Sequence, residues 1–355
     1  MNKVFTEDYQ KLSELSFIDW EQFRNSTVLV TGATGLIGLN LVRALSFTSE
    51  AKALSVKILV LVRNTDAAKV LFPSENVTIL PYELGSVPAI SEKVDYIVHL
   101  ASPTSSKYFM EKPVDTLLAN IEGTKALLEW AKDHPVRKFI MVSTMEVYGF
   151  PEKGHKVTEA EVGGFLPQNS RNSYPVGKIA TEALCYGYYA QYGIPTVVLR
   201  ATQTFGPGVK YDDGRVFAQF MRCAMEKKDI VLRSLGLTER CYLYTADAVS
   251  AILLCLLKGD NGEAYTVANP ETYCSIADMA KMVAQELADG EISVQFDVAD
   301  DISKLGYAET LYMDLDVSKI GNLGWKPQYG LMEMFTRMMR GLEADEECSG
   351  TDEYL

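Results

Sequence analysis

Tyr174 and Lys178, in the segment YPVGK, are the two side chains whose types and spacing best suit moving a proton. They open a stretch, IATEALCYGYYAQYG, that reads as a helix, and residues four apart on a helix share a face. The ammonium is then expected beside the phenol, lowering its pKa from about 10 toward neutrality so that a phenolate can deprotonate an alcohol. Alone, such a pair is a frequent accident, and its ordinary meaning is a surface tyrosine with a solvated lysine. It gains specificity from Thr144, at the end of an apolar run, and from a glycine loop far upstream.

That loop is TGATGLIG, with Gly32, Gly35 and Gly38 directly between a β-branched run, TVLVTG, and a helically periodic one, LNLVRALSF. Strand, tight loop and helix in that order turn the backbone sharply, admit a pyrophosphate to the helix N-terminus and pack helix on strand. A glycine triplet alone is weak evidence; at a strand-to-helix junction near the chain start it predicts a dinucleotide site. The end of the following strand normally carries an acid for the adenosine ribose of NAD. Here it reads VLVRN, with Arg63 and Asn64. An arginine pairs with a 2′-phosphate, which puts NADP on a par with NAD; the bland reading has Arg63 stacked over adenine or in solvent.

These residues need a frame. Runs 56–62, 94–101, 138–144 and 196–201 are continuously apolar, as strands buried on both faces are, and helical stretches such as 113–134 separate them. The alternation predicts an α/β fold: a Rossmann-type doubly wound parallel sheet over 27–205, and a smaller mixed α/β region over 206–342 devoted mainly to the substrate. Ahead of it, residues 1–26 place Tyr9, Leu12, Leu15, Phe17, Ile18 and Trp20 at roughly helical intervals, so this extension is expected to pack on the body. The acidic, apolar-poor residues 343–355 are expected to be mobile.

Composition narrows the partners. The 355 residues, 47% hydrophobic and 23% charged, are ordinary for a globular protein with a sizeable core. A net charge of −13 gives no general attraction to nucleic acid or anionic membrane, so an anionic ligand must be met by local cations. No apolar run reaches the roughly 18 residues of a spanning helix, and the start MNKVFTEDYQ lacks the apolar core of a signal peptide. Six cysteines without a CxxC pair point to a reducing, cytoplasmic setting. Three histidines, none at ligand spacing, predict no metal site.

In order and spacing, TGATGLIG, HLAS (99–102), Asn120 in LLANIEGT, STMEVYG (143–149) and YPVGK resemble the extended short-chain dehydrogenases/reductases, in the group of NAD-dependent epimerases and dehydratases acting on nucleotide sugars. The likeness covers about residues 27–340. It implies a bound, recycled NAD or NADP, a nucleoside-diphosphate sugar as substrate, and transient oxidation of that sugar at C4. By resemblance Thr144, Tyr174 and Lys178 are the triad that deprotonates the hydroxyl, with Lys178 also on the nicotinamide ribose and Asn120 supporting the site. Gly32, Thr34, Gly35, Leu36, Ile37 and Gly38 fall at the pyrophosphate loop, and Leu100, Ala101 and Ser102 at a later strand end. A homodimer through the helices 113–134 and 175–192 is implied as well.

Within that group the chain most resembles the UDP-glucuronate decarboxylases, through HLASPTSSKYFMEKP, which carries Ser105 and Tyr108, and through TFGPGVKYDDGRVFAQF into ERCYLYTADA. Arg171 and Arg240 stand where those enzymes carry arginines, and Glu146 where they and the dTDP-glucose 4,6-dehydratases carry a catalytic glutamate. The same resemblance sets Arg215 and Val216 at the nucleotide; the bland alternative for Arg215 is a charge cluster with Asp212 and Asp213. An arginine fork matches the two oxygens of a sugar carboxylate, while Glu146 has the alternative role of structural partner to Arg171 or Arg240. Some positions depart from the pattern. Met145 stands where dehydratases have an aspartate acid and decarboxylases a serine, Gln203 replaces an asparagine, Gly208 an arginine, and Arg233 an aromatic. A thioether donates no proton, which counts against 4,6-dehydration, and Met145, Gln203 and Arg233 are expected to reshape the substrate pocket. The expected activity is decarboxylation, with 4-epimerisation, 4,6-dehydration and keto-sugar reduction as alternatives and a non-catalytic dinucleotide sensor as the reading from another class.

Overall fold

The computed structural model describes residues 2–298 and 310–349. Its frame is a seven-stranded sheet made of β1 (Thr27–Thr31), β2 (Lys57–Val62), β3 (Val77–Pro81), β4 (Tyr96–His99), β5 (Lys138–Thr144), β6 (Thr196–Ala201) and β7 (Glu263–Val267). Neighbours are parallel throughout, in the order β7-β6-β5-β4-β1-β2-β3. All five residues of β1 are buried, which requires layers on both faces of the sheet. Helices supply those layers and the crossovers that parallel neighbours need. The main ones are α1 (Lys3–Ser13), α2 (Leu36–Ala51), α3 (Pro113–Asp133), α4 (Ser173–Tyr192), α5 (Val216–Met225), α6 (Thr245–Lys258) and α7 (Leu331–Ser349). Strand order reverses between β1 and β4, so a crevice opens at their C-terminal ends.

Residue 206 does not divide the sheet. Strand β7 lies beyond it and pairs with β6, and α6 packs on α2, β5 and β6. The run EAYTV, short and mixed in polarity, carries no strong strand pattern, yet four of its residues are buried. The rest of 206–342 contributes a second, small sheet. There Glu239–Tyr244 pairs with Gln203–Phe205, Asn269–Ser275 and Tyr312–Leu315, and the last of these pairs with Lys156–Val157.

The N-terminal extension folds onto the body through α1, which packs on α2, α6 and α7 and buries Tyr9 and Leu12; Ile18 and Trp20 are buried beyond it. Its Asp8 is also buried. That carboxylate accepts hydrogen bonds from Tyr244 (2.6 Å) and Tyr329 (3.0 Å) and pairs with Arg337 of α7 at 2.7 Å. At the other end the expected mobile tail is in part helix, because α7 runs on to Ser349. Met334, Phe335 and Met338 anchor the helix in the core, and extending a formed helix through good helix formers is far easier than starting one. Residues 350–355 lie outside the described residues. Among the described residues no helix is long and apolar enough to cross a membrane.

Candidate active site

The loop after β1 forms a tight cradle. Gly32 has φ +68°, and a Cβ there would lie 2.7 Å from the backbone nitrogen of Ala101, so the ends of β1 and β4 touch. A Cβ on Gly38 would lie 2.2 Å from the Gly32 carbonyl oxygen, which shows how closely α2 sits on the turn. Gly35 begins α2 without a side-chain cap, leaving first-turn amides for an anion. Thr34 and Gly35 are exposed, and Leu36 and Ile37 partly so. This cradle fits the diphosphate of a dinucleotide. Beyond β2, Arg63 is exposed and makes no ion pair among the described residues. Asn64 is occupied instead: its side-chain oxygen accepts from the Ala67 amide at 3.0 Å and caps the short helix Thr65–Leu71.

A buried chain of hydrogen bonds supports the end of β4. His99 Nδ1 meets Thr31 Oγ1 at 2.7 Å and its Nε2 meets Thr124 Oγ1 at 3.1 Å, while the Ala101 amide donates to Thr31 Oγ1 at 3.3 Å. Burial, with a smaller contribution from Lys178, pushes the His99 pKa down to about 3, so the ring is neutral at pH 7. Asn120 continues the network. Its side-chain oxygen accepts from Ser102 Oγ at 2.8 Å, its amide donates to the Thr116 carbonyl at 2.8 Å, and its own carbonyl accepts from Thr124. Leu100, Ala101 and Ser102, all partly exposed, are thereby held along the crevice.

Thr144 ends β5, and its hydroxyl accepts from the Glu146 amide at 3.2 Å. Tyr174, in the first turn of α4, is buried. Its ring stacks on Phe109 of the short helix Ser106–Glu111, with centroids 4.3 Å apart. The phenol is pushed up, first by burial and then by the Glu146 carboxylate; a hydrogen bond with Thr144 and the charge of Arg171 offset part of this. That corrects the expectation of a phenol drawn toward neutrality by Lys178. The two do share a helix face, but Lys178 Nζ donates to the Val142 carbonyl at 2.9 Å and stands 5.9 Å from the Tyr174 ring centre. Burial pushes the Lys178 pKa itself down to about 8, with Glu182 opposing.

Glu146 and Arg171 form an ion pair at 2.9 Å, with side chains 31% and 30% exposed. The guanidinium of Arg171 lies over the Phe109 ring at 5.4 Å, so Arg171, Phe109, Tyr174, Thr144 and Glu146 form one cluster. Arg240 stands apart from that pair. It donates to Gln203 Oε1 at 3.2 Å, while its buried Nε has no hydrogen-bond partner among the described residues. Met145, expected on the pocket, is 5% exposed and packed with Val147, Tyr148, Val157, Cys241, Met313 and Leu315. Its sulfur accepts from Thr202 Oγ1 at 3.0 Å.

The remaining candidates line more distant loops. Ser105 caps Ser106–Glu111, its hydroxyl accepting from the Tyr108 amide at 3.4 Å, and both residues are exposed. Arg215 precedes α5, pairs with Asp213 at 2.6 Å and lies over the Phe217 ring at 4.8 Å. This is the charge cluster weighed for it, without Asp212. Val216 begins α5 and is partly buried. Arg233 is half-exposed and ion-paired to Asp297; among the described residues no hydrogen bond joins it to the cluster around Tyr174.

Sequence reasoning missed Phe109 and a buried pair beneath the cluster. Arg200 Nη2 and Glu182 Oε2 are 2.8 Å apart, each side chain 3% exposed. Glu182 accepts from Ser143 Oγ at 2.5 Å, and Arg200 donates to the carbonyls of Glu159 (3.1 Å) and Glu161 (3.2 Å). The pair therefore ties β5, α4, β6 and the loop that follows Glu146 into one block. A signal existed: an arginine inside the buried run TVVLRA demands a partner, and Glu182 lies one turn after Lys178 on the same helix face. Phe109 had none, because aromatic stacking between distant segments leaves no periodicity.

Comparison with known proteins agrees with this geometry. Residues 28–269 match the family model for the NAD dependent epimerase/dehydratase family. The chain is 29% identical to UDP-glucuronic acid decarboxylase 1 of Xenopus tropicalis, over 100% of this chain and 80% of that protein. It is 30% identical to UDP-glucuronic acid decarboxylase 6 of Arabidopsis thaliana, over 87% of this chain and 86% of that one. In fold it is similar to an epimerase from Methanothermobacter thermautotrophicus, with a TM-score of 0.78 at 23% identity, covering 94% of this chain and 97% of the other. A glycine cradle at the switch point of a parallel sheet, a tyrosine and lysine on one helix face beside Thr144, and a match over most of its length place the chain in the NAD dependent epimerase/dehydratase family of enzymes.

Proposed function

We propose that this enzyme oxidises a nucleoside-diphosphate sugar at C4 to a transient ketone and that, with UDP-glucuronate, the ketone loses carbon dioxide before it is reduced again. The observation that carries the reading is the convergence of Tyr174 and Thr144 with the Glu146–Arg171 pair at the end of β5. Gly32, Thr34, Gly35, Leu36, Ile37 and Gly38 would hold the pyrophosphate, Arg63 the adenosine ribose, and Leu100, Ala101 and Ser102 the stretch toward the nicotinamide. When bound, NAD supplies a hydride acceptor and afterwards a hydride donor.

Tyr174 takes the proton of the C4 hydroxyl while Thr144 hydrogen-bonds the same oxygen. Burial and Glu146 oppose ionisation of the phenol, and the hydrogen bond with Thr144 and the charge of Arg171 are what favour it. In a 4-ketone bearing a C6 carboxylate, the C5–C6 bond breaks, carbon dioxide leaves and the electron pair stays in the enolate. A proton drawn from solvent then adds to C5 of the enolate and restores the ketone, and Glu146 is the group we assign to relay it. Arg171 and Arg240 hold the carboxylate beforehand; the unpartnered buried Nε of Arg240 is a donor that an anion would satisfy. Burial of Met145 supports the preference over water loss, since neither a thioether nor an inward-packed side chain protonates a leaving hydroxyl.

Ser105, Tyr108 and Gln203 are assigned to the sugar, and Arg215, Val216 and Arg233 to the nucleotide. We place a homodimer contact on α3 and α4, which lie side by side and expose Val114, Leu118, Tyr189 and Tyr192. Free thiols at Cys185, Cys223, Cys241, Cys255 and Cys274 suit the cytoplasmic setting we propose. The test is mass spectrometry after incubation with UDP-glucuronate and, separately, UDP-glucose, dTDP-glucose and CDP-glucose. Loss of the mass of carbon dioxide from the first is expected. Catalytic loss of the mass of water from any of the others overturns the reading.

A further inference from the structure

We propose that Asn40 is a positioning residue that couples the dinucleotide site to the nucleotide-sugar site, with the N-terminal helix α1 as its buttress. Asn40 lies one turn inside α2, just behind the cradle, and is 1% exposed. A buried carboxamide in a helix is costly unless its polar atoms are satisfied. Its own helix and two other chain segments satisfy this one. Its amide donates to the Leu36 carbonyl of its own first turn at 2.9 Å and to the Pro207 carbonyl at 3.2 Å, and its oxygen accepts from the Tyr9 hydroxyl of α1 at 3.3 Å.

Pro207 sits in the turn that leaves Gln203–Phe205 and leads through Asp213 to Arg215 and α5. The turn is clasped from the far side as well. A Cβ on Gly341 of α7 would lie 3.3 Å from Pro207 Cβ, and Asn2 donates to the Gly341 carbonyl at 2.8 Å. Tyr9 is itself held: its ring is buried and stands 5.9 Å from Phe5 and 6.2 Å from Phe47, and the neighbouring Asp8 is locked to Arg337. One side chain thus joins the helix whose N-terminus meets the pyrophosphate to the turn that aims Arg215. Whatever settles the first turn of α2 settles Pro207 with it.

This inference rests on the assignment of Arg215 and Val216 to the nucleotide, and its test uses binding rather than turnover. The dissociation constants of NAD and of UDP are measured by calorimetry on the wild-type chain, Asn40→Ala and Tyr9→Phe, each ligand alone and with the other saturating. In the wild type each ligand is expected to tighten the other by the same factor, as linkage requires. Asn40→Ala should bring that factor close to one and weaken UDP roughly tenfold, the upper scale of the one hydrogen bond that holds Pro207. Tyr9→Phe keeps the buried ring and removes only the hydroxyl, so it remains informative if Asn40→Ala fails to fold, and it should lower the factor in the same direction. UDP binding with the same coupling factor in wild type and variants overturns the role of Asn40, as does a wild-type factor of one. Failure of the wild-type chain to bind UDP at all strikes the nucleotide assignment beneath it.

Discussion

Phe109 lies flat on Tyr174, the two ring planes 3° apart. The stack fixes the ring of the proposed base through a residue of the short helix Ser106–Glu111, whose first turn is also expected to meet the sugar, and it leaves the hydroxyl toward Thr144. Tyr174→Phe keeps both rings and loses only that oxygen. Turnover of the sugar substrate should fall about 10²- to 10⁴-fold, the usual range for a lost general base, while the melting temperature and NAD affinity stay near wild type. Wild-type-like kcat would remove Tyr174 from the chemistry. Lys178→Met should also depress kcat, with weaker NAD binding alongside.

Arg63 is the exposed cation directly beyond β2, where a 2′-phosphate would be met. If it reads that group, Arg63→Asp should shift the ratio of NADP to NAD affinity toward NAD by at least tenfold, the scale of one charge-assisted hydrogen bond. Titration of the wild type and variant with both dinucleotides measures it. An unchanged ratio means that Arg63 does not touch the ribose.

The Arg200–Glu182 pair is buried on both sides. Removing one partner strands the other charge, so Arg200→Met should cost about 3–5 kcal/mol in urea unfolding. Arg200→Met with Glu182→Leu should recover a large part of that, because no charge is then left buried. A cost under about 1 kcal/mol for the single variant would contradict a structural role for the pair.

Asp247, in the first turn of α6, is buried with one oxygen accepting from the Gln328 amide at 2.9 Å and the other without a hydrogen-bond partner among the described residues. Burial, opposed by the Gln328 and Tyr329 amides and by Lys11 and slightly aided by Asp8, pushes its pKa up to about 8 from an ordinary 3.8. A folded-state pKa above the unfolded one means that the folded chain holds a proton the unfolded chain has lost. The resulting stability is complete below 3.8 and disappears as pH rises to about 8. Asp247→Asn mimics the protonated acid, so its melting temperature relative to wild type should climb by several degrees across that window. A difference that stays constant with pH would falsify the assignment.

The sequence by itself determined the parallel α/β frame, the glycine cradle, the placement of Tyr174 and Lys178 on one helix face, and the docking of residues 1–26. Those features are local: they follow from burial periodicity, from glycine at a strand-to-helix turn and from helix geometry, each readable within about ten neighbouring residues. Tertiary structure alone decided that Lys178 turns to the Val142 carbonyl, that Glu146 takes Arg171 rather than Arg240, that Met145 packs inward, and that β7 is drawn from beyond residue 206 to complete the sheet. Each of those outcomes depends on desolvation and on distances between segments remote in the chain. A side chain's partner and its proton affinity are set by what the fold brings beside it and by how much water the fold removes, and neither quantity is carried by the spacing of letters.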